Sequence, residues 1–524
     1  MKRSELAHRV SGQSAALRAS ALSCAAVQAR QCLEIVEQQR PTRMAQALGL
    51  AQVRTVEDYR ARVPLSTWED IEPWIRAELD GIRGSFLPTP PLAVELTGGT
   101  SDGRKMVPYN ASQLAAFRLA VLPWLDDWLS RWPQLAKQKW WWAITPVGRA
   151  PAATGAGIPI GLPGGDAAYF GAELAPLIMD QLVAPYQLGG MADLADWQRA
   201  TSAHLLACEN LGLLSLWSPS LLLGLLDVIA RESALLLSWL DDWPLIDVPA
   251  PMMSASRREA LPTLISVGPA ALWPELSLCS CWTDASAIRD ARLLQQRWPG
   301  LHLQGKGLLA TEGVVTVPQT GLPAPLLALN SGFFEFRCDD GSMLLAHELD
   351  VGLEAEVVMT TWGGLLRYVS SDRIRVDGHL GHTPLLTFLG RKGGVSDMCG
   401  EKLSETFVAS VLALTVPSFA ILLPDPDRRC YQLVVDACDA SLDMNDCQAA
   451  VEAALSANPQ YAYARSLGQL SALQVRAVRS PLAQLQASAM ASGRRLGDLK
   501  PPALGGKKEK QMFDVQCSYP AASS

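Results

Sequence analysis

The spacing of apolar side chains changes several times along the chain and predicts alternating helical and stranded regions. Residues 1–80 carry apolar positions three and four apart, which predicts helices that end near Pro64 and Pro73. A second amphipathic helix is expected over 111–132, and a strand is expected to begin at Trp140. Alternating apolar and polar positions over 303–376 then predict several short strands. The pattern as a whole is typical of an α/β protein.

The pattern changes again after residue 394 and indicates a second unit. Helices are predicted over 404–414 and 443–457, and strands over 419–423 and 431–436, followed by a polar tail. A glycine pair within 391–394 can act as a hinge. We therefore predict a domain over 1–390, a hinge at 391–394 and a small α+β domain over 395–524.

One uncharged, leucine-rich run is the best candidate for a membrane segment. It spans 211–226, is bounded by Glu209 and Asp227, and is interrupted by Pro219. Spanning the hydrocarbon core takes roughly 18 to 20 apolar residues. The run therefore predicts two buried helix segments, not an anchor.

Composition excludes several classes of function. Hydrophobic residues make up 49% of the 524 residues and charged residues 19%, which is typical of a folded globular chain. Lys and Arg total 45 against 52 Asp and Glu, so the net charge of −7 argues against nucleic acid as the main partner. The 11 cysteines form no CxxC pair, which favours reduced thiols and a cytoplasmic location.

The segment 93–109, AVELTGGTSDGRKMVPY, carries the clearest chemical signal. A short strand leads into a turn of glycines and hydroxyl side chains that is closed by Arg104 and Lys105. Backbone N–H groups, hydroxyls and a lysine together can cradle phosphates. The segment matches neither the GxxxxGK[ST] nor the GxGxxG pattern. An ordinary polar turn is an equal alternative.

Four further segments bear chemistry more weakly. Glu312, in GLLATEGVVTVP, precedes a β-branched strand and is suited to Mg²⁺, although a surface-loop glutamate is the better explanation of this segment taken alone. Asp372 lies near the end of a predicted hairpin, where a carboxylate can accept hydrogen bonds from ribose hydroxyls. Arg391 precedes the glycine pair, and Lys500 lies in a late Gly- and Pro-rich loop.

The order of these segments resembles a known family. LTGGTSDGRK, LLATEG, LLRYVSSD, GR and a late GDLK are similar to the motifs of adenylate-forming enzymes, specifically the auxin-responsive acyl-acid amido synthetase family in its bacterial branch. WWWAITPVGRAPAATGAGIPIG and LNSGFFEF add to the resemblance, which covers roughly 60–505. It implies a large N-terminal domain of mixed sheets and a β-barrel flanked by helices, with a smaller, mobile C-terminal domain.

The resemblance also implies roles for single residues. It assigns Thr311 to the nucleotide, Glu312 to Mg²⁺, Asp372 and Arg391 to the ribose, and Lys500 to adenylation as a lysine of the mobile domain. The phosphate loop would comprise Thr97, Gly99, Thr100, Ser101 and Lys105.

Three positions depart from the family pattern. Asp102 replaces a glycine of the loop, and a like charge about 4 Å from phosphate costs roughly 4 kcal/mol at an effective dielectric of 20. We therefore expect Asp102 to point away from the phosphates or to pair with Arg104 or Lys105. Leu308 replaces an aromatic residue that stacks on adenine, and Ser371 replaces a glycine before the ribose aspartate.

The implied activity is the ATP-dependent coupling of a small carboxylic acid to an amino acid or another amine, with release of pyrophosphate and AMP. Phe333, Phe334 and Trp142 are candidates to line the acyl pocket, with a role in the core as the alternative. Two other functions remain open. One is a ligase that transfers the acyl group to coenzyme A or a carrier thiol, and the other is a catalytically silent binding protein.

Overall fold

The computed structural model describes residues 2–97, 105–146, 152–163, 165–391, 395–439, 442–494 and 496–514. The helices of these residues are α1 (Lys2–Val10), α2 (Gln13–Ala21), α3 (Cys24–Gln39), α4 (Arg43–Ala47), α5 (Val56–Arg62), α6 (Trp68–Leu79), α7 (Ala111–Arg131), α8 (Gly171–Met179), α9 (Leu194–Ala207), α10 (Pro219–Arg231), α11 (Ser233–Asp241), α12 (Ala255–Val267), α13 (Pro269–Leu272), α14 (Ile288–Arg297), α15 (Glu405–Thr415), α16 (Met444–Leu455), α17 (Pro459–Ser466), α18 (Pro481–Ala491) and α19 (Lys507–Asp514).

The strands are β1 (Ala93–Leu96), β2 (Met106–Tyr109), β3 (Lys139–Trp142), β4 (Ala152–Ala153), β5 (Pro159–Ile160), β6 (Leu211–Ser215), β7 (Leu278–Cys281), β8 (Leu303–Gly305), β9 (Thr316–Val317), β10 (Leu326–Leu327), β11 (Gly332–Arg337), β12 (Met343–Leu345), β13 (Glu354–Thr361), β14 (Tyr368–Leu380), β15 (Thr383–Arg391), β16 (Val395–Ser396), β17 (Leu403–Ser404), β18 (Ala420–Asp425), β19 (Cys430–Asp436) and β20 (Gln474–Val478). This mixture of helices and several sheets confirms the predicted α/β class.

Three sheets lie before residue 392. Strands β3, β6, β7 and β8 form a parallel sheet in that order. Strands β2, β1, β5 and β4 form a small mixed sheet, and the order β12-β11-β13-β14-β15-β10-β9 forms a seven-stranded antiparallel sheet. The several sheets and their flanking helices fit the mixed sheets that the resemblance implies.

The parallel sheet is covered on both faces, as its sequence requires. Successive side chains of a strand point to opposite faces. Accordingly Trp140 belongs to the apolar core that also contains the residues of α1–α7, whereas Trp141 packs into the core formed by α9, α10 and α14. Both indoles are at most 1% exposed. Two covered faces are the usual condition of a parallel sheet.

The structure corrects the interpretation of 211–226 as two helices. Residues Leu211–Ser215 form strand β6 in the middle of the parallel sheet, and only the residues from Pro219 onward are helical, as α10. A short continuous apolar run is typical of a strand buried on both faces and cannot be distinguished from a buried helix by periodicity. Within the described residues, we found no helix that combines the length and the apolar character needed to cross a membrane.

Two other predictions also need correction. Pro73 lies inside α6, where the buried side chains of Ile71, Ile75 and Leu79 hold the helix together despite the missing N–H group. The polar tail predicted after residue 457 contains α17, β20, α18 and α19 instead. Helix α19 is anchored by Phe513, which is fully buried, and by the ion pair of Lys510 with Asp425 at 2.8 Å.

Candidate active site

One cavity of about 1170 Å³ is lined by residues from both the N-terminal and the C-terminal parts of the chain. Its walls comprise the end of β1, the residues after β8, the first part of β14, the end of β15 and the segment that leads to α19. Six of the residues that the resemblance assigns to ATP, Mg²⁺ or adenylation line this cavity: Thr97, Thr311, Glu312, Asp372, Arg391 and Lys500.

Thr97 and Lys105 close the base of the glycine-rich turn. The backbone N–H of Thr97 donates to the carbonyl of Lys105 at 3.1 Å, which extends the antiparallel β1–β2 pair. The predicted phosphate-binding residues Gly99, Thr100 and Ser101 lie outside the described residues, as do Asp102 and Arg104. The turn is therefore carried by a hairpin whose last strand residues, Leu96 and Met106, are paired.

Lys105 is not one of the residues that line the cavity, but its ammonium acts on one of them. Its Nζ donates to the hydroxyl of Tyr368 at 2.9 Å and lies 5.5 Å from the ring centre of Trp68. The charge of Lys105 also acts on Glu312, where it lowers the pKa of that carboxyl against the larger effect of burial. The amine is thus held at the side of the cavity on which Glu312 lies.

Thr311 and Glu312 form the tip of a tight hairpin. The backbone groups of Ala310 and Gly313 exchange two hydrogen bonds, at 3.0 and 3.2 Å. The hydroxyl of Tyr109 donates to the carbonyl of Thr311 at 2.5 Å, and Gln113 Nε2 donates to the carbonyl of Glu312 at 3.1 Å. These hydrogen bonds from Tyr109 and Gln113 fix the backbone of the hairpin and so position the two side chains at the cavity wall.

Glu312 is a nearly buried carboxyl, 4% exposed. Burial raises its pKa, and the neighbouring carboxylate of Asp372 raises it further, while Arg391 and Lys105 oppose both effects. A carboxylate in these surroundings is stabilised by a cation. No group of three or more metal-ligating side chains occurs in the part of the chain that the structure describes. The buried carboxylate of Glu312 fits a metal that takes one or two carboxylates and completes its shell with substrate oxygens, as Mg²⁺ does.

A β-bulge presents Asp372 to the cavity. The register of the β13–β14 pair shifts between the partners of Glu356 and Val358, and Ser371 adopts the left-handed conformation with φ of 65°. The hydroxyl of Ser370 donates to the carbonyl of Val357 and accepts from the N–H of Asp372, both at 3.1 Å. Left-handed backbone favours glycine, which is the residue that the family pattern has where this chain has Ser371.

Asp372 and Arg391 are neighbours across the β14–β15 pair. Arg391 Nε lies 3.1 Å from Asp372 Oδ1, and the Asp372 residue is only 2% exposed. The Arg391 side chain remains half exposed. The carboxylate keeps free lone pairs for further donors, because a single Arg nitrogen occupies one of its oxygens.

Lys500 reaches the cavity from the C-terminal part of the chain. Its Nζ lies 4.0 Å from the ring centre of Trp282 and 5.8 Å from that of Phe388. Burial raises the pKa of the Asp284 carboxyl, and the charge of Lys500 partly opposes this effect. An ammonium against aromatic faces is attracted by their π electrons, so the amine is held at the cavity wall.

The predicted acyl-pocket residues separate into two groups. Trp142 lines the cavity, whereas Phe333 and Phe334 do not and are only 1% exposed. Both phenylalanines lie on β11, which is paired on both sides by β12 and β13 and packed against helices, as the contact of Phe333 with Tyr59 shows. Their role is in the core, and the acyl-pocket prediction is wrong for them.

Sequence reasoning missed the end of the cavity that the parallel sheet forms. Trp142 is the last residue of β3, Ser215 is the last of β6, and Lys306 follows β8 directly. The carboxyl ends of parallel strands meet at one edge of a sheet, where ligands of α/β proteins bind. Lys306 could have been indicated by its position, because it directly follows a strand and lies six residues before Glu312.

Three models of one family match successive parts of the chain. They are the GH3 family N-terminal domain over residues 14–288, the GH3 family central domain over 325–391 and the GH3 family C-terminal domain over 402–509. The chain belongs to the GH3 family. This confirms the resemblance found in the motifs, since the family is that of the acyl-acid amido synthetases.

Individual relatives of this GH3 protein are distant. It is 26% identical over 288 residues to a probable indole-3-acetic acid-amido synthetase, GH3.6, of Oryza sativa subsp. japonica, a match that covers 46% of the chain. The match spans 57% of the length of that relative.

Solved structures support the fold over the whole chain. The GH3.15 acyl acid amido synthetase superposes with a TM-score of 0.80 at 17% identity over 95% of this chain and 94% of its own. AtGH3.15 in complex with 2,4-DB gives 0.83, also at 17% identity, over 96% and 95%. A 2-hydroxyisobutyryl-CoA ligase in the postadenylation state gives 0.57 at 13% identity over 94% and 90%. The fold is therefore that of adenylate-forming enzymes with a large and a small domain.

Proposed function

We propose that this GH3 protein is an AMP-forming ligase that adenylates a small carboxylic acid with ATP and transfers the acyl group to an amino acid or another amine. The observation that carries the proposal is the convergence of the Thr311–Glu312 hairpin, the Asp372–Arg391 pair and Lys500 on one cavity. These residues come from distant parts of the chain, and together they supply the groups that ATP requires.

The nucleotide is held at the end of the cavity formed by β14 and β15. Asp372 accepts hydrogen bonds from the ribose hydroxyls, and Arg391, already paired with Asp372, contacts the same sugar. Leu308 lines the cavity and offers an apolar surface to the base. The glycine-rich turn, with Thr97, Gly99, Thr100, Ser101 and Lys105, is assigned to the phosphates.

Glu312 is the residue that would hold Mg²⁺. When bound, the ion offsets negative charge that develops on the phosphoryl oxygens. Burial and the neighbouring Asp372 carboxylate raise the pKa of Glu312, because both disfavour its negative charge. A bound cation offsets this penalty. Gln113 and Tyr109 keep the hairpin in place by binding its carbonyls.

The reaction takes place in two steps. In the first step an oxygen of the acid carboxylate attacks the α-phosphorus of ATP, the bond to the β-phosphate oxygen breaks, and pyrophosphate leaves. Lys500 and Lys105 stabilise the charge that develops on the phosphoryl group. In the second step the neutral amine attacks the acyl carbonyl and loses a proton, and AMP leaves as the amide forms.

The small domain carries Lys500, and we propose that it rotates between the two steps about residues 391–394. In the structure Lys500 lines the cavity together with Glu312 and Asp372, an arrangement suited to adenylation. The family models support a boundary in this region, because the central-domain model ends at 391 and the C-terminal model begins at 402. Rotation would withdraw Lys500 and admit the amine.

We place the enzyme in the cytoplasm, in keeping with the free thiols of the described cysteines.

Product analysis distinguishes amide from thioester formation. The protein is incubated with ATP, an acid that supports turnover and either a pool of amino acids or coenzyme A, and the products are identified by mass. We expect an amide and AMP. A thioester formed in preference to an amide would assign the chain to the thiol-transferring alternative.

The role of Lys500 is tested by separating the two steps. Lys500→Ala should reduce adenylate formation by at least 100-fold, because it removes a charge that acts only on the phosphoryl transition state. Transfer from a supplied acyl-adenylate to the amine should be largely retained. Arg479→Ala, which changes an exposed basic residue of the same domain that does not line the cavity, serves as the control. Equal loss of both steps would refute the assignment.

A further inference from the structure

Lys306 lies at the end of the cavity formed by the parallel sheet. It follows β8, and its residue is only 4% exposed although it lines the cavity. The carboxylate that acts on its amine is Asp166, whereas the charges that act on Glu312 are those of Asp372, Arg391 and Lys105. Two separate electrostatic environments thus exist within one cavity.

The Lys306 amine has no counter-carboxylate within ion-pair distance among the residues that the structure describes. It donates to Ser215 Oγ at 2.9 Å, and it lies 4.9 and 5.1 Å from the ring centres of Trp124 and Trp217. Burial lowers its pKa to about 8, so the amine is still mostly protonated at neutral pH. A buried charge of this kind is normally paired.

Ser215 adds a second donor beside the amine. Its Oγ accepts from Lys306 Nζ and also from Trp142 Nε1, which occupies both lone pairs of the oxygen. The hydroxyl hydrogen is left to donate, and Ser215 lines the cavity. Lys306 retains two further N–H donors. Three donors therefore remain at this end of the cavity, which suits an acceptor with negative charge.

Aromatic rings surround this donor group. The faces of Trp124 and Trp217 flank the amine, and Trp142 packs against Phe170 at 5.4 Å between ring centres. The indole N–H groups of Trp124 and Trp128 are both taken up by Gln304 Oε1, at 2.7 and 2.5 Å, so these rings present apolar surface. The walls therefore suit a flat, aromatic ligand.

We propose that the acid substrate is an aromatic acid with a second anionic group, a carboxylate, distal to the one that is adenylated, and that Lys306 and Ser215 bind this distal group. The inference rests on the proposed function, because it identifies the class of acid that the same cavity takes. Lys306 is a specificity-determining residue in this assignment. It does not act on the reacting carboxyl, which lies at the other end near Glu312 and Lys500.

The test measures acid-dependent exchange of labelled pyrophosphate into ATP with pairs of acids of the same shape. Terephthalate, 4-carboxyphenylacetate and 4-carboxycinnamate are each compared with the analogue that carries a methyl group in place of the distal carboxylate, and with the neutral hydroxyl analogue. The wild-type protein should show a higher kcat/KM for at least one diacid than for both of its analogues. This comparison requires no variant.

Two variants then locate the preference. In Lys306→Met the ratio of kcat/KM for the preferred diacid to that for its methyl analogue should fall by about 30-fold or more, the loss expected for a charge-assisted hydrogen bond. Ser215→Ala should reduce the same ratio by a smaller factor. The loss should appear mainly in KM, because the contact is formed equally in the ground state and in the transition state.

Each contrary outcome has a distinct meaning. Three results would overturn the assignment of the distal carboxylate and leave the proposed ligase activity intact. They are exchange with the methyl or hydroxyl analogues but not with the diacids, exchange only with acids outside these series, and an unchanged ratio in Lys306→Met. Absence of exchange with every acid tested would instead refute the proposed function.

Discussion

Replacing Lys306 by Met should stabilise the fold at neutral pH, and the gain should shrink as the pH rises. The amine is buried, and its pKa is lowered from 10.5 to about 8. A difference of about 2.5 in pKa corresponds to about 3 kcal/mol at 1.36 kcal/mol for each pH unit. This free energy is the cost of keeping the ammonium charged in the fold, and Met removes it while retaining most of the apolar stem.

The pH dependence follows from proton linkage. Between pH 8 and 10.5 the unfolded chain binds more protons at this residue than the folded chain does, so the stability of the wild type rises with pH in that window. The advantage of Lys306→Met should therefore fall by about 2 kcal/mol between pH 7 and pH 9.5. The hydrogen bond to Ser215, lost in the variant, reduces the advantage by about 1 kcal/mol at each pH below 8.

Urea unfolding of both proteins at pH 7, 8 and 9.5 measures this difference. Lys137→Met, at an exposed lysine, is the matched control and should show no such pH dependence. A difference between Lys306→Met and wild type that stays constant over this range, or that grows with pH, would refute the account of a charged amine held in the cavity wall.

Three other substitutions test the neighbouring structure. Asp372→Asn should weaken ATP binding by about 30-fold or more, because it removes the charge that strengthens the ribose hydrogen bonds, as measured by calorimetric titration. Ser371→Gly should raise the free energy of unfolding by up to about 1 kcal/mol, because the left-handed backbone at φ of 65° strains a side chain. Glu335→Ala should lower it by about 3 to 5 kcal/mol, because it leaves the buried guanidinium of Arg367 without its carboxylate.

Controls for these substitutions come from the same strands. Ser370→Gly should destabilise the fold, since it removes the hydroxyl that binds Val357 and Asp372, and a stabilising effect would contradict the interpretation of the bulge. Asp377→Asn changes a partly buried carboxylate on the same strand that does not line the cavity, and it should leave ATP binding unchanged. If Asp377→Asn and Asp372→Asn weaken ATP binding equally, Asp372 does not belong to the ribose site. If Glu335→Ala lowers the free energy of unfolding by less than about 1 kcal/mol, the interpretation of the buried ion pair is wrong.

The motifs along the chain indicated residues that the structure places on one cavity. Glu312 and Asp372 are about 60 positions apart and neither carries a strong local pattern, yet their order relative to the glycine-rich turn and to Lys500 was sufficient to predict the family. The strand patterns around these residues predicted β11, β13 and β14, because alternating burial leaves a clear period of two.

The end of the cavity that the parallel sheet forms could not be predicted from the sequence in the same way. Trp142, Ser215 and Lys306 meet only because β3, β6 and β8 lie parallel in one sheet. Residues Leu211–Ser215 were interpreted as helix, although they form β6, which pairs with both β3 and β7. Without β6 the sheet could not be predicted. The parallel order results from crossover connections between distant segments, which local periodicity does not specify.

The bulge at Ser371 shows the same limit on a smaller scale. The sequence indicated that a glycine of the family is replaced, but only the structure relates this position to the register shift that turns Asp372 toward Arg391. A serine that takes a left-handed conformation is held there by the surrounding pairs of β13 and β15.

Acid-dependent exchange of labelled pyrophosphate into ATP tests the central claim most directly, namely that these separate segments bind one ATP and direct its α-phosphorus to an organic acid. The account predicts exchange by the wild type with at least one acid from a panel of aryl, indolyl and fatty acids, and a loss of at least 100-fold in Glu312→Gln. A wild type that shows no exchange with any acid in the panel, or a Glu312→Gln variant that exchanges as fast as the wild type, would contradict it.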